Sequence, residues 1–113
     1  MHEYSIVRGI VEIAGTEAKK LGNCTVRSIE LEIGALSGVE IEALEFIWDL
    51  AVQNSVLEDA QKKIVFISGK AHCLDCEKDF ETSSFFDNCP YCGSNATGLV
   101  KGRELRVKSI TII

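Results

Sequence analysis

Two cysteine pairs, Cys73-Leu-Asp-Cys76 and Cys89-Pro-Tyr-Cys92, stand twelve residues apart in a chain of 113. A C-x-x-C turn can aim two thiolates at one ion. Two such turns facing each other complete the tetrahedral sulfur set that zinc takes in closed structural sites. Four protein ligands leave no position for a substrate, so this is the chemistry of an ion that holds a fold together. The residues between the pairs carry Phe80, Phe85 and Phe86 but too little other apolar matter to fold unaided, and the ion would supply the missing core. Four thiolates also hold redox-active iron, and Cys-Pro-Tyr-Cys-Gly looks like half of a rubredoxin site. Two disulfides are a third use of the same residues, and they require an oxidising compartment.

A second place for chemistry is the start of the chain, Met1-His2-Glu3. The α-amine, the backbone amide of His2 and its imidazole can reach one metal in adjacent chelate rings. An amide nitrogen binds only after losing its proton, and the first N–H groups of a helix have no intrahelical partner to lock that proton in place. Nitrogen donors in a plane suit Ni(II) or Cu(II). Raw affinity favours copper, so selection must come from geometry and from the ion supplied. Taken alone, a histidine at position two is most often just a surface residue.

These groups must be positioned by a small fold. At 46% hydrophobic and 26% charged, the chain has ordinary globular composition and enough Ile, Val and Leu for a modest core. The first twenty residues contain Glu3, Arg8, Glu12 and Glu17, which rules out an uninterrupted apolar signal segment, and no stretch is long enough to cross a bilayer. A cytoplasmic location is expected. Thiols are kept reduced there, which turns the cysteines from disulfide partners into metal ligands. The net charge of −5 argues against a nucleic-acid backbone as partner.

Val7, Ile10, Val11, Ala14, Ala18 and Leu21 recur at helical steps over residues 3–21, with Lys19 and Lys20 in the last turn and Gly22 able to cap it. Residues 25–33 switch to period two, with Ile29, Leu31 and Ile33 alternating with Ser28, Glu30 and Glu32, the pattern of a strand with one wet face. Ser37-Gly-Val-Glu40 has the spacing of a capping box and opens a second helix to about Ser55. Leu44, Ile47, Trp48 and Ala51 form its buried stripe, and Glu42, Glu45 and Asp49 a polar face. Such an acid row could bind a metal or a basic partner, but in most proteins it is a solvated face. Residues 64–67 read as a second strand and 103–112 as a third. The fold class is therefore α+β: two helices on a three-stranded sheet, with a small four-cysteine zinc-ribbon module inserted before the last strand. The expected domains are 1–69 with 101–113, and the module 70–100. Gly69, Gly98 and Gly102 flank the insertion as natural hinges.

A chain that opens Met-His-Glu, carries C-x-x-C, twelve residues and C-P-x-C-G, and has this layout resembles the HypA family of hydrogenase nickel-insertion metallochaperones over essentially its whole length. The resemblance implies a nickel site at Met1, through its amine, and His2, with Glu3 beside it, and a structural zinc site at Cys73, Cys76, Cys89 and Cys92. It also implies delivery of Ni(II) to the large subunit of a [NiFe] hydrogenase, in concert with a GTPase of the same maturation pathway and without catalysis by this chain. A monomer or weak homodimer is expected, with no nucleic acid or membrane as partner. Some members carry a histidine after the second cysteine pair, where this chain has Gly93. The nearby imidazole is His72, expected to pack or hydrogen-bond beside the site. Cys24 is expected to be a small buried hydrophobe. Asn23-Cys-Thr25 and Asn95-Ala-Thr97 fit the glycosylation pattern, which a cytoplasmic chain never uses.

Three functions fit the residues: a nickel carrier with structural zinc, a redox protein with iron at the thiolates, and a zinc-ribbon adaptor that only binds proteins. No serine-histidine-acid set or phosphate loop suggests an enzyme, and the only histidines are His2 and His72.

Overall fold

The computed structural model describes residues 2–22, 25–85 and 87–112. Met1, Asn23, Cys24, Phe86 and Ile113 lie outside that set, and with them the expectations for the Met1 amine and for Cys24. The chain divides into two compact units, Met1–Glu32 with Val39–Val65 and Arg106–Ile113, and Ile33–Gly38 with Phe66–Leu105.

In the first unit α1 spans Glu3–Lys20 and buries Val7, Ile10, Val11, Ala14 and Ala18 of the stripe that the helical period predicts, whereas Leu21, its last member, follows the helix end and is exposed. Lys19 and Lys20 lie in its last turn, and Gly22 follows with φ +93°. Strand β1, Val26–Gly34, is central to a three-stranded sheet, flanked by β2, Gln61–Ile67, and β6, Leu105–Ile112. Its alternation holds: Ile29, Leu31 and Ile33 are each 1% exposed. On the wet face Glu30 meets Lys63 at 3.8 Å and Lys108 at 3.3 Å, and Glu32 meets Arg106 at 2.5 Å. The pairs 30 with 108 and 32 with 106 run in opposite senses, the spacing of antiparallel neighbours.

The second helix departs from its local signal. α2 spans Ile41–Ala51, shorter at both ends than residues 37–55, and the capping box does not form. Residues 34–36 are held instead by long-range backbone bonds, Gly34 N–H to the Glu104 carbonyl and Leu36 N–H to the Gly102 carbonyl, both 2.7 Å, and Ala35 N–H to the Ile67 carbonyl, 2.8 Å, and Ser37 N–H turns back to the Gly34 carbonyl at 3.1 Å. Glu40 becomes the N-cap without a side-chain cap of its own, and its N–H donates to Glu3 Oε2 of α1 at 3.3 Å. One helix thus satisfies the start of the other. At the far end Arg8 Nη1 donates to the Ala51 carbonyl at 2.9 Å, a cation where the helix dipole is negative. Beyond it Ser55 Oγ turns the chain by donating to the Val52 carbonyl, 2.6 Å, and accepting from Leu57 N–H, 3.1 Å. Leu44, Trp48 and Ala51 are buried as expected, Ile47 of the same stripe is only half-buried, and Lys62 lies 5.4 Å from the Trp48 ring centre.

The second unit has a sheet of its own, β4-β3-β5, from Asp79–Glu81, Lys70–Cys73 and Thr97–Lys101, with both pairings antiparallel. Its strands are too short and polar for periodicity to mark them. Ala71, Cys73, Phe80 and Cys89 form the buried cluster, with Cys76 and Leu99 packed against it. Two of the expected hinge glycines are places of close backbone approach: a Cβ on Gly102 would stand 2.7 Å from Gly69 Cα, and one on Gly34 would run into the Gly102 carbonyl. The bonds made by residues 34–36 also explain why 33–38, far from the cysteines in sequence, belong to this unit.

Candidate metal centre

The β3/β4 hairpin presents the first cysteine pair and the approach to β5 the second. The two loops are built alike. Cys73 N–H bonds the Lys78 carbonyl and Cys89 N–H the Ser94 carbonyl, each at 2.9 Å, so both loops close five residues after their first cysteine. The residue after the second cysteine is left-handed in each, Glu77 at φ +59° and Gly93 at φ +75°. Backbone amides then point at sulfur: Cys76 N–H reaches Cys73 Sγ at 3.5 Å, and Tyr91 N–H reaches Cys89 Sγ at 3.4 Å. These donors favour the thiolate over the thiol, which is what a metal ligand requires.

Facing loops bring Cys73 Sγ to 3.6 Å from Cys92 Sγ, and Cys76 Sγ to 3.6 Å from Cys89 Sγ. All four sulfurs lie within 4.8 Å of one another. Cys73 and Cys89 are buried, Cys76 is half-buried and Cys92 exposed. Four soft donors around one point fit a thiophilic ion such as zinc.

The thiols do not share their environment equally. Cys73 is lowered, chiefly by the Cys76 amide, against burial and with the Asp75 amide assisting. Cys89 falls to about 7: burial pushes it up, but the amides of Cys92 and Tyr91 and the neighbouring thiols outweigh that. Cys76 is raised: the Lys78 amide pulls down, while burial and the sulfurs of Cys89 and Cys73 push up. Cys92 rises to about 12: the Ser94 amide pulls down, and contact with Cys73 sulfur together with burial prevails. Four crowded sulfurs resist being anionic together without a cation among them, and the raised thiols of Cys76 and Cys92 hold protons that an ion must displace.

His72 is engaged as expected. Its Nδ1 lies 2.6 Å from Asp79 Oδ1, with Lys70 Nζ 3.5 Å from the other carboxylate oxygen. Asp79 was not singled out from the sequence, where only its place opposite His72 in a short hairpin could have marked it. The acid row of α2 gathers no cluster. Glu45 pairs with Lys62 at 2.8 Å, and among the described residues no other group of three or more metal-ligating side chains comes together. At the N-terminus His2 is exposed and extended, φ −92° and ψ 101°, directly ahead of α1, and Glu3 is half-buried with its carboxylate on Glu40 N–H. No helix among the described residues is long and apolar enough to cross a membrane.

Residues 1–112 match the sequence model of a family described as "Hydrogenase/urease nickel incorporation, metallochaperone, hypA". The hydrogenase maturation factor HypA of Parabacteroides distasonis is 49% identical over 112 residues, covering 99% of this chain and 97% of that protein. The factor of the same name from Geobacter metallireducens is 39% identical, covering 99% of each chain. The solution structure of the Ni metallochaperone HypA from Helicobacter pylori superposes with a TM-score of 0.71 at 25% identity, covering 100% of this chain and 98% of that one.

Proposed function

This chain belongs to the HypA family of nickel-incorporation metallochaperones, and on that premise we propose that it binds Ni(II) at its N-terminus and delivers it for maturation of a [NiFe] hydrogenase. The observation that carries this reading is His2, exposed and extended one residue ahead of α1, where its amide stands outside the helix ladder. The donors are the Met1 amine and the amide and imidazole of His2. Glu3 stands beside them, its carboxylate positioned by Glu40 N–H rather than free to swing.

Zinc at Cys73, Cys76, Cys89 and Cys92 is structural in this reading and holds residues 70–100, while 1–69 with 101–113 carries nickel. The four sulfurs, two of them in the module's buried cluster, support an ion that organises a small core. The chain works as a carrier and not as an enzyme. It acts in the cytoplasm as a monomer or weak homodimer, with a GTPase of the maturation pathway and the hydrogenase large subunit as partners. Delivery to a urease is the second reading, favoured by the wording of the family description.

The test is an extension of the chain. One or two residues added before Met1 turn the amine into an amide while every side chain survives, and nickel should be lost, as it should in His2→Ala. Zinc content and circular dichroism should not change. Uptake of one nickel per extended chain at unaltered affinity would overturn the terminal site. A red protein would mean iron at the thiolates, since the zinc form is colourless.

A further inference from the structure

Helix α2 presents three faces rather than two. Leu44, Trp48 and Ala51 are buried, and Glu42, Glu45 and Asp49 form the acid row. Between them Phe46 is 88% exposed and Leu50 58%, one helical turn apart on the same side. Phe46 and Ile47 line a groove of about 370 Å³ with Tyr4, itself 49% exposed, and with His2 and Glu3. Single exposed apolar side chains are ordinary, but a run of them along one helix, meeting an aromatic of the next, marks an interaction surface. A phenyl ring that projects almost wholly into water has no role in this unit's own core.

The charges beside this surface select its occupant. Glu42 and Asp49 border Phe46 along the helix and make no ion pair among the described residues, and Glu3 lies in the groove wall. The cations at this end are committed: Lys62 to Glu45, and Arg8 to the Ala51 carbonyl. Two copies of this chain joined through the face by a two-fold axis would set acid row against acid row, which disfavours self-association there. A segment with an apolar stripe flanked by Lys and Arg satisfies both the groove and its rim, the helix-in-groove mode of recognition.

We propose that the Tyr4, Phe46 and Leu50 surface is a docking site for a basic amphipathic helix of a protein partner. Such a helix would lie against the wall that includes His2. That the partner gives or takes nickel rests on the function proposed above; the docking itself does not.

The full-length zinc-loaded protein, labelled with ¹⁵N, is titrated with a synthetic amphipathic helix bearing leucines at i, i+3, i+4 and i+7 and lysines elsewhere. A scrambled peptide of the same composition is the control, and nickel is titrated in parallel. The ordered peptide should shift the amides of residues 2–4 and 41–50, bind more weakly as salt rises, and bind about tenfold or more weakly to Phe46→Ala and to Glu42→Lys/Asp49→Lys. Phe46 is exposed, so its replacement should leave circular dichroism and nickel uptake unchanged. Equal binding of the scrambled peptide, shifts elsewhere on the chain, or unaltered affinity in Phe46→Ala would overturn the proposal, as would dimerisation that Phe46→Ala abolishes. Peptide binding by a protein that takes no nickel would uphold the docking and refute the nickel reading.

Discussion

His72 Nδ1 lies 2.6 Å from Asp79 Oδ1, and the two residues are direct partners in the β3/β4 ladder, one position before Cys73. One ring nitrogen of the imidazole beside the four-cysteine cluster is therefore committed to a carboxylate. The bond ties the two strands that frame the first cysteine loop.

That bond has a pH signature. Asp79 is held below its ordinary value of 3.8, first by His72, with partial burial opposing and Lys70 assisting. A carboxylate with a depressed native pKa adds stability above the unfolded value, and that stability is lost as pH falls through the native one. Asp79→Asn should therefore melt at a lower temperature than wild type at neutral pH, and the two should converge as the solution is acidified below about pH 3.8. Both groups are solvent-accessible, so salt should narrow the gap. Scanning calorimetry across that range checks it, and a gap that stays constant would show that the charge is not what Asp79 contributes.

The matching left-handed residues of the two loops respond differently to exchange. Gly93→Ala places a Cβ at φ +75° and should cost about 1–2 kcal/mol. Glu77 already bears that strain at φ +59°, so Glu77→Gly relieves about 1–2 kcal/mol while adding about 0.5–1 kcal/mol of chain entropy, for a result between neutral and mildly stabilising. Chelator competition on both variants reads the difference as resistance to metal loss, and equal losses would refute the equivalence of the loops.

Cys76 and Cys92, the thiols held up, retain their protons at neutral pH, Cys92 to about 12. An ion that takes all four sulfurs must expel at least these two, and below about pH 7 part of a third from Cys89, so affinity should rise with pH by at least about a hundredfold per unit near neutrality. Calorimetry in buffers of different ionisation enthalpy counts the protons released. Affinity that does not change between about pH 6 and 7 would contradict the scheme.

Removing a ligand should be far costlier than moving one. Cys73 and Cys89 are both sulfur donors and half of the module's buried cluster, so Cys73→Ala or Cys89→Ala should lose the ion and unfold residues 70–100. Structural zinc in small peptides contributes roughly 10–16 kcal/mol, more than so small a core can lose. Proton NMR should show the module's resonances collapse while those of α1 and β1 persist.

Glu3 caps α2 from another helix, and only its acceptor oxygen is needed for that. Glu3→Gln should keep the start of α2 intact, whereas Glu3→Ala should lose about 0.5–1 kcal/mol and raise hydrogen exchange at the Glu40 amide. Equal exchange in the two variants would show that the contact carries no stability.

Helix α1, strand β1 and the four cysteines that could hold a metal were legible in the sequence, because each is written within a few residues: a 3.6-residue stripe, a two-residue alternation, and two closely spaced thiol pairs. The resemblance of Met1-His2-Glu3 to a family motif was legible in the same way. The start of α2 was not. Ser37 and Glu40 have capping-box spacing, but backbone bonds from Gly34 to Glu104 and from Leu36 to Gly102 hold the preceding residues in another conformation. The same bonds assign 33–38 to the unit of the cysteines, and they require the bare backbones of Gly34, Gly69 and Gly102 to approach where a Cβ would collide. The convergence of four sulfurs within 4.8 Å, the choice of Asp79 for His72 and the exposure of Phe46 likewise depend on which distant strands and helices meet. Spacing along a chain sets what a residue can reach locally; pairing between segments tens of residues apart is settled only when burial and backbone hydrogen bonds are satisfied for the whole fold at once.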